Sequence, residues 1–182
     1  MYSILMFILI FFEIVSINLS KKINIKIIMD IDSIQITKDF PKINGKRIII
    51  NSPELIAPFG VQEEYGKFNL KLALNGSTRE SRQFADFIRN LEKRLQVLAP
   101  TIDYHSNVKV LQNYDPLLTL RIQKRYNNLE VNVKSKNKDR YLENVHDIKK
   151  GDHVKCRFQL EKIWTHEDKS GCIFRVLDIE LI

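Results

Sequence analysis

Glycine is scarce in this sequence of 182 residues, with only six, and the scarcity removes several function classes at once. There is no GxxxxGK loop followed by Ser or Thr, no GxGxxG turn and no GxSxG elbow, so the backbone cradles for nucleotide phosphates and the strained turn of a serine nucleophile are missing. Cysteine is rarer still. Cys156 and Cys172 have no CxxC pair or Cys/His cluster beside them, and His105, His146, His153 and His166 show no HExxH or HxH spacing, so neither a metal nor a cofactor is expected. The acid pairs Asp30 with Asp32, Glu63 with Glu64, and Asp147 with Asp152 lack a basic partner at a recognisable catalytic spacing and read as solvated surface. An enzyme is not expected.

What is present is a globular composition with a basic balance. Lys and Arg number 29 against 22 acids, the formal charge is +7 and the sequence pI is about 9.4, which suits an anionic partner such as nucleic acid or a membrane surface. Hydrophobic residues make up 44% of the chain, enough to fold, and the length fits one domain. Heavy use of isoleucine, asparagine and lysine also points to an AT-rich genome, which accounts for part of the basicity.

Residues 1–28 stand apart. Met1 to Leu19 is an almost unbroken apolar run with one acid, Glu13, followed by Ser20, Lys21 and Lys22. A signal peptide would open on a positive region and close on small residues at a cleavage site, and neither is found. A membrane anchor needs about 20 apolar residues, which this run nearly supplies. The third reading starts translation at Met29, where the text turns abruptly polar and alternating, and the composition break favours it. Residues 29–182 then form the domain, and a membrane partner enters only if residues 1–28 are retained.

From Met29 onward the pattern is of strands with one principal helix. Residues 31–36 alternate weakly, Lys46 to Asn51 follows an Asn44-Gly45 turn, and Leu55 to Gly60 reads as a loop. Tyr65 to Asn75 alternates most cleanly, with Phe68, Leu70, Leu72 and Leu74 on one face and Lys67, Asn69, Lys71 and Ala73 on the other. A helix over about Ser77 to Ala99 follows, with Ser77 and Glu80 as a capping box and Pro100 as its stop. Phe84, Phe87, Ile88, Leu91, Leu95 and Leu98 make its apolar stripe, leaving Arg79, Arg82, Arg89 and Lys93 to water. Leu118 to Ile122 and Leu129 to Val133 read as an antiparallel hairpin about Asn127-Asn128, before a basic loop from Lys134 to Arg140. A last hairpin joins Val154 to Trp164 with Cys172 to Ile182, its inner face carrying Val154, Cys156, Phe158 and Leu160, with Trp164 on the same parity as a core or rim residue. That register sets Cys156 opposite a residue near Leu181 and Cys172 opposite one near Thr165, too far apart for a bridge, so a reducing compartment is expected. Many short strands with one helix make a small antiparallel barrel more economical than a layered α/β sheet.

Four phrases carry a family resemblance: PFGVQEEYGKFNLKLAL, FADFIRNLEKRL, GDHVKCRFQLEKIW and SGCIFRVLDIEL. Across most of residues 31–182 the chain resembles the single-stranded DNA-binding proteins of large DNA viruses and of certain tailed phages. The resemblance implies an OB-type antiparallel β-barrel with one inserted α-helix, no catalysis, and single-stranded DNA as partner in viral DNA replication, recombination or repair. It implies an intracellular location at the site of that replication, in host cytoplasm or nucleus, and leaves open replication proteins and a homo-oligomer as further partners. Phage members carry a strongly acidic C-terminal tail that recruits replication proteins, whereas this sequence stops at Asp178-Ile179-Glu180-Leu181-Ile182.

Such a barrel holds a single strand by running phosphates along a positive groove and stacking bases on aromatic or Arg planes. Strand parity offers Lys67 and Lys71 from one strand, Arg121 from a second, and Lys155 with Arg157 from a third. Arg125 and Tyr126 in the middle turn supply a guanidinium and a ring, and Lys134 opens the basic loop that would close over the strand with Lys136, Lys138 and Arg140. Two other classes fit the same residues: an RNA-binding OB protein, and a membrane-tethered structural or virion protein if the leader is kept.

Overall fold

The computed structural model describes residues 31–182 apart from 38–39, 100, 111, 113, 127, 137–141 and 143. The hydrophobic leader, the helix stop at Pro100, Asn127 of the middle turn, and Lys138 and Arg140 of the basic loop lie outside the described residues. In chain order the strands are β1 (Ile34–Thr37), β2 (Phe40–Ile43), β3 (Lys46–Asn51), β4 (Leu55–Ala57), β5 (Val61–Glu64) and β6 (Lys67–Ala73). The helix α1 (Arg79–Leu98) comes next, then β7 (Asp103–His105), β8 (Val108–Lys109), β9 (Leu117–Ile122), β10 (Lys124–Arg125), β11 (Asn128–Leu129), β12 (Asn132–Ser135), β13 (Asp152–His166) and β14 (Lys169–Leu181).

The ladder runs β1-β2-β3-β13-β14-β9-β6-β5 and does not close on itself among the described residues. Its central part is OB-type. β3 and β4 both pair with β13, β13 with β14, β14 with β9, and β9 with β6, the order of a partly open five-stranded Greek-key barrel. The corner between β3 and β4 is forced by Pro53, and Ser52 ties it down: its amide donates to the Cys156 carbonyl at 2.8 Å, and its Oγ accepts the Cys156 amide at 2.8 Å.

Several expectations need correction, the first being the loop at Leu55 to Gly60, whose first three residues form β4 against β13. The sheet is not wholly antiparallel, because β7, β9 and β12 lie end to end along one edge of β14 and all run parallel to it. The hairpin expected between Leu118–Ile122 and Leu129–Val133 forms only at its tip, where β10 pairs β11. Both edges of β9 are already occupied, by β6 and β14, so the returning chain leaves it and docks on β14 as β12. Finally, the strand parity of the last hairpin slips. Leu160 pairs Phe174 but Lys162 pairs Ile173, so Glu161 is a bulged residue that reverses the alternation after it. Ile163 therefore turns inward, and Trp164 leaves the face of Phe158 and Leu160 to pack over Gly171 and the His105 ring, 5.6 Å away. The same slips set Cys156 opposite Ile179 and Cys172 opposite Ile163; both thiols are free and buried.

The helix seals one end of this sheet. Phe84, Ala85, Ile88, Leu91 and Leu95 are buried, and Phe84 meets Phe158 edge-on, which meets Phe174 in the same way at 5.6 Å. The cap is not the expected one. Ser77 is engaged in a turn, its amide and hydroxyl both donating to Asn75 Oδ1, so Thr78 becomes the N-cap and Arg79 the first helical residue. Thr78 Oγ1 accepts the Ser81 amide and Ser81 Oγ accepts the Thr78 amide, each at 3.0 Å, closing the box through Ser81 instead of Glu80. Thr78→Ala should therefore lower stability by about 1 kcal/mol. Ser77→Ala and Glu80→Ala should each stay within about 0.5 kcal/mol of the native protein in urea unfolding. A Ser77 variant costing as much as the Thr78 variant would return the cap to Ser77.

Candidate nucleic-acid interface

Residues directly opposite one another in a ladder share a face, so the registers lay one continuous row across the outside of the sheet. From β5 to β3 it reads Gln62, Asn69, Arg121, Arg175, Gln159 and Ile49. Around the middle of this row is a cleft of about 430 Å³, lined among others by Lys67, Arg121, Lys124, Lys162 and Arg175, with Phe40, Phe68 and a single acid, Glu161. Five cations from five strands meet there because β6, β9 and β14 are adjacent, β10 follows directly on β9, and the Glu161 bulge turns Lys162 outward beside them.

The charges in this cleft are poorly neutralised. Arg175 reaches Glu161 at 3.5 Å and donates Nη1 to Gln123 Oε1, while its Nε is buried without a partner. Lys124 sits over the Phe68 ring at 5.5 Å. Lys67, Arg121 and Lys162 have no carboxylate within 4.0 Å among the described residues. Arg121 stands directly beside Arg175 across the parallel ladder, and like charges so placed repel. The ring of Phe40, 52% exposed, gives the cleft an apolar border.

The other expected cations are gathered elsewhere. Lys134, Lys155 and Arg157 line a larger open groove of about 900 Å³ together with Lys136 and His153, and with Glu54, Glu80, Asp178 and Glu180. This groove shares no lining residue with the first. Several of its charges are matched: Arg157 Nε donates to Asp178, Lys136 reaches Glu180 at 3.0 Å and His153 reaches Glu54 at 2.8 Å, while Lys155 and Lys134 lie across the ladder from Glu180 on either side with no carboxylate within 4.0 Å among the described residues. Partial burial pulls the Asp178 carboxyl upward, but hydrogen bonds from Arg157 and Asn132 outweigh it and hold the group below its ordinary value. Lys71 faces the same side of β6 as Lys67 yet is bound to Glu64 at 2.6 Å, and that hydrogen bond holds Glu64 low as well. Arg125 ends β10 and Tyr126 follows it at the tip, where the guanidinium lies 5.9 Å from the ring and 3.7 Å from Glu130.

Of the expected site residues, Lys67 and Arg121 thus converge, Lys134, Lys155 and Arg157 form a second group beside Asp178 and Glu180 in which Arg157 is ion-paired, and Lys71 is already paired. Phe40, Lys124, Lys162 and Arg175 were not among the candidates. The parity of Arg175 was readable in its strand, but a bulge hid the facing of Lys162. Among the described residues no group of three or more His, Cys, Asp or Glu gathers as metal ligands.

No family model matches this sequence, and no curated protein is similar to it by sequence. Among solved structures it is similar to the crystal structure of gp2.5, a single-stranded DNA-binding protein encoded by bacteriophage T7. The TM-score is 0.53 at 13% identity, over 75% of this chain and 86% of that one. The likeness is one of fold, and it agrees with the OB-type order of the central strands.

The matched groove makes its own prediction. A carboxyl held low in the folded state stabilises the protein above its unfolded value, and that contribution is lost as pH falls through the folded value. Carbon-detected NMR titration should find Asp178 protonating below the ordinary range of about 3.9, and Arg157→Ala should move it upward. An Asp178 midpoint unchanged by that substitution would show that the ion pair does not form in solution.

Proposed function

We propose that this chain binds single-stranded DNA without reading its sequence, acts by binding and not by catalysis, and uses the outer face of β6, β9, β13 and β14. The observation that carries the proposal is the cleft of Lys67, Arg121, Lys124, Lys162 and Arg175, whose cations outnumber their acidic partners on an OB-type sheet. Packing two guanidinium groups side by side costs stability unless an anion lies between them, and a phosphate accepts bidentate bonds from such a pair. That gp2.5 is a single-stranded DNA-binding protein supports the same reading on a shared fold. Arg157 contributes less in this view, since a phosphate reaching it must displace Asp178, and Lys155 and Lys134 are opposed by Glu180 across the ladder. A place in viral DNA replication, recombination or repair is the role that such binding serves.

Salt dependence tests it. Each cation that neutralises a phosphate of a single strand releases about 0.7 counterion. Arg121→Ala with Lys162→Ala should weaken binding to a single-stranded oligomer and flatten the slope of log affinity against log salt by roughly 1.4. Lys155→Ala with Arg157→Ala should flatten it less. Arg89→Ala with Lys93→Ala, on the exposed side of α1, removes the same charge and should hardly alter it. Equal effects from all three pairs would reduce the attraction to net charge. A wild type that binds duplex as well as single strands would end the proposal, and tighter binding to an RNA oligomer of the same sequence would redirect it to RNA.

A further inference from the structure

Among the described residues four that are not glycine adopt a left-handed φ: Asn44, Tyr65, Tyr126 and Glu167. Asn44, at +50°, is followed by Gly45 at +74°, the residue pair that a two-residue hairpin turn with positive φ at both positions prefers. Tyr65, at +53°, is followed by Gly66 at +73° in the same geometry between β5 and β6. The chain thus builds one turn twice, once with the favoured asparagine and once with a tyrosine that the turn itself does not favour. Tyr126 repeats the choice at +55°, between the paired strands β10 and β11.

Neither ring repays this conformation by burial, although the Tyr126 ring meets the Arg125 guanidinium at 5.9 Å. Tyr65 is fully exposed and Tyr126 is 87% exposed. Their positions are related. The last pair of the β6-β9 ladder is Phe68 with Ile122; Tyr65 lies three residues before the first and Tyr126 four residues after the second, so both tips project from the same end of that ladder. Gly66 and Lys67 from one tip line the basic cleft with Gln123 and Lys124 from the other.

Resting on the single-strand reading above, we propose that Tyr65 and Tyr126 are a pair of base-stacking rings at the end of the cleft, and that they are what distinguishes a single strand from a duplex. The cations attract any polyanion. An unpaired base has a free π face, whereas the bases of a duplex are already stacked on one another. With phosphates on Lys67, Arg121 and Lys124, successive bases of a strand leaving the cleft meet two rings that are held in water by the backbone. Strained backbone that places a side chain in solvent is characteristic of ligand clamps.

Tyr65→Gly with Tyr126→Gly tests this, because glycine accepts a left-handed φ without strain and the variant should melt at or above the wild-type temperature. Against oligothymidine the double variant should lose about tenfold affinity per ring, with the salt slope unchanged since no charge is removed. Its affinity for an abasic strand of equal length and for duplex should stay at the wild-type level, and Tyr65→Phe with Tyr126→Phe should bind oligothymidine as the wild type does. Full retention of oligothymidine binding by the glycine variant, or equal losses on abasic and base-bearing strands, would overturn the tyrosine proposal while leaving the cleft in place. A wild type with no affinity for oligothymidine would instead overturn the single-strand reading on which it rests.

Discussion

The structure depends on the pairing of β13 with β14. This hairpin runs from Val154 opposite Leu181 to His166 opposite Lys169, and both of its outer edges are taken, by β3 and β4 on one side and by β7, β9 and β12 on the other. No other strand could organise so much. Two strands of this length would twist away from their neighbours if they stayed regular, and the register slips near Arg157 and Glu161 bend the ribbon so that each stretch meets a different partner. The bulge that lets the hairpin bend is also what brings Lys162 to the outside beside Arg175.

A second, polar layer fastens the helix to this hairpin. Glu92, though on the buried side of α1, accepts the Asn107 amide at 2.7 Å and the Ser106 hydroxyl. Asn107 in turn donates Nδ2 to the Cys172 carbonyl at 3.0 Å, and the Tyr104 hydroxyl points at the Cys172 sulfur. Burial pushes the Cys172 thiol up to about 12 and raises Tyr104 as well, so both stay neutral and the cluster is structural. A carboxylate placed inside a helix face is expensive unless it is bonded, and here its bonds hold the segment that carries β7 and β8 against β14 and β9. The cost is offset by order in a stretch that has little apolar pattern of its own.

Charge is distributed on the same frame with two different outcomes. Near the C-terminal end of β14, Arg157 of β13 and Lys136 just after β12 pair with Asp178 and Glu180 within the fold. At mid-sheet β14 offers Arg175 to Arg121, and among the described residues only Glu161 opposes the group. The local stability of one groove and the unspent charge of the other follow from which residues of one strand happen to face outward. Net charge alone does not distinguish them.

Period-two alternation was enough to read β6, most of β9 and the two arms of the last hairpin, and the stripe from Phe84 to Leu95 was enough to read α1, because burial on one face imposes those spacings wherever the elements pack. The same alternation put Lys67 and Arg121 on one side of the sheet in advance. It could not announce that Glu161 is an extra residue, that Ser77 is held by Asn75 so that Thr78 caps the helix, or that the chain after Leu129 abandons β9 for β14. Those outcomes are decided by competition for a strand edge or a hydrogen-bond acceptor among residues far apart in sequence, which no local pattern records. Composition determined that the protein would be basic and local alternation that it would be β-rich; only the tertiary pairing decided which cations are left without a partner, since that depends on what lies across the ladder and not on what lies beside them in the chain.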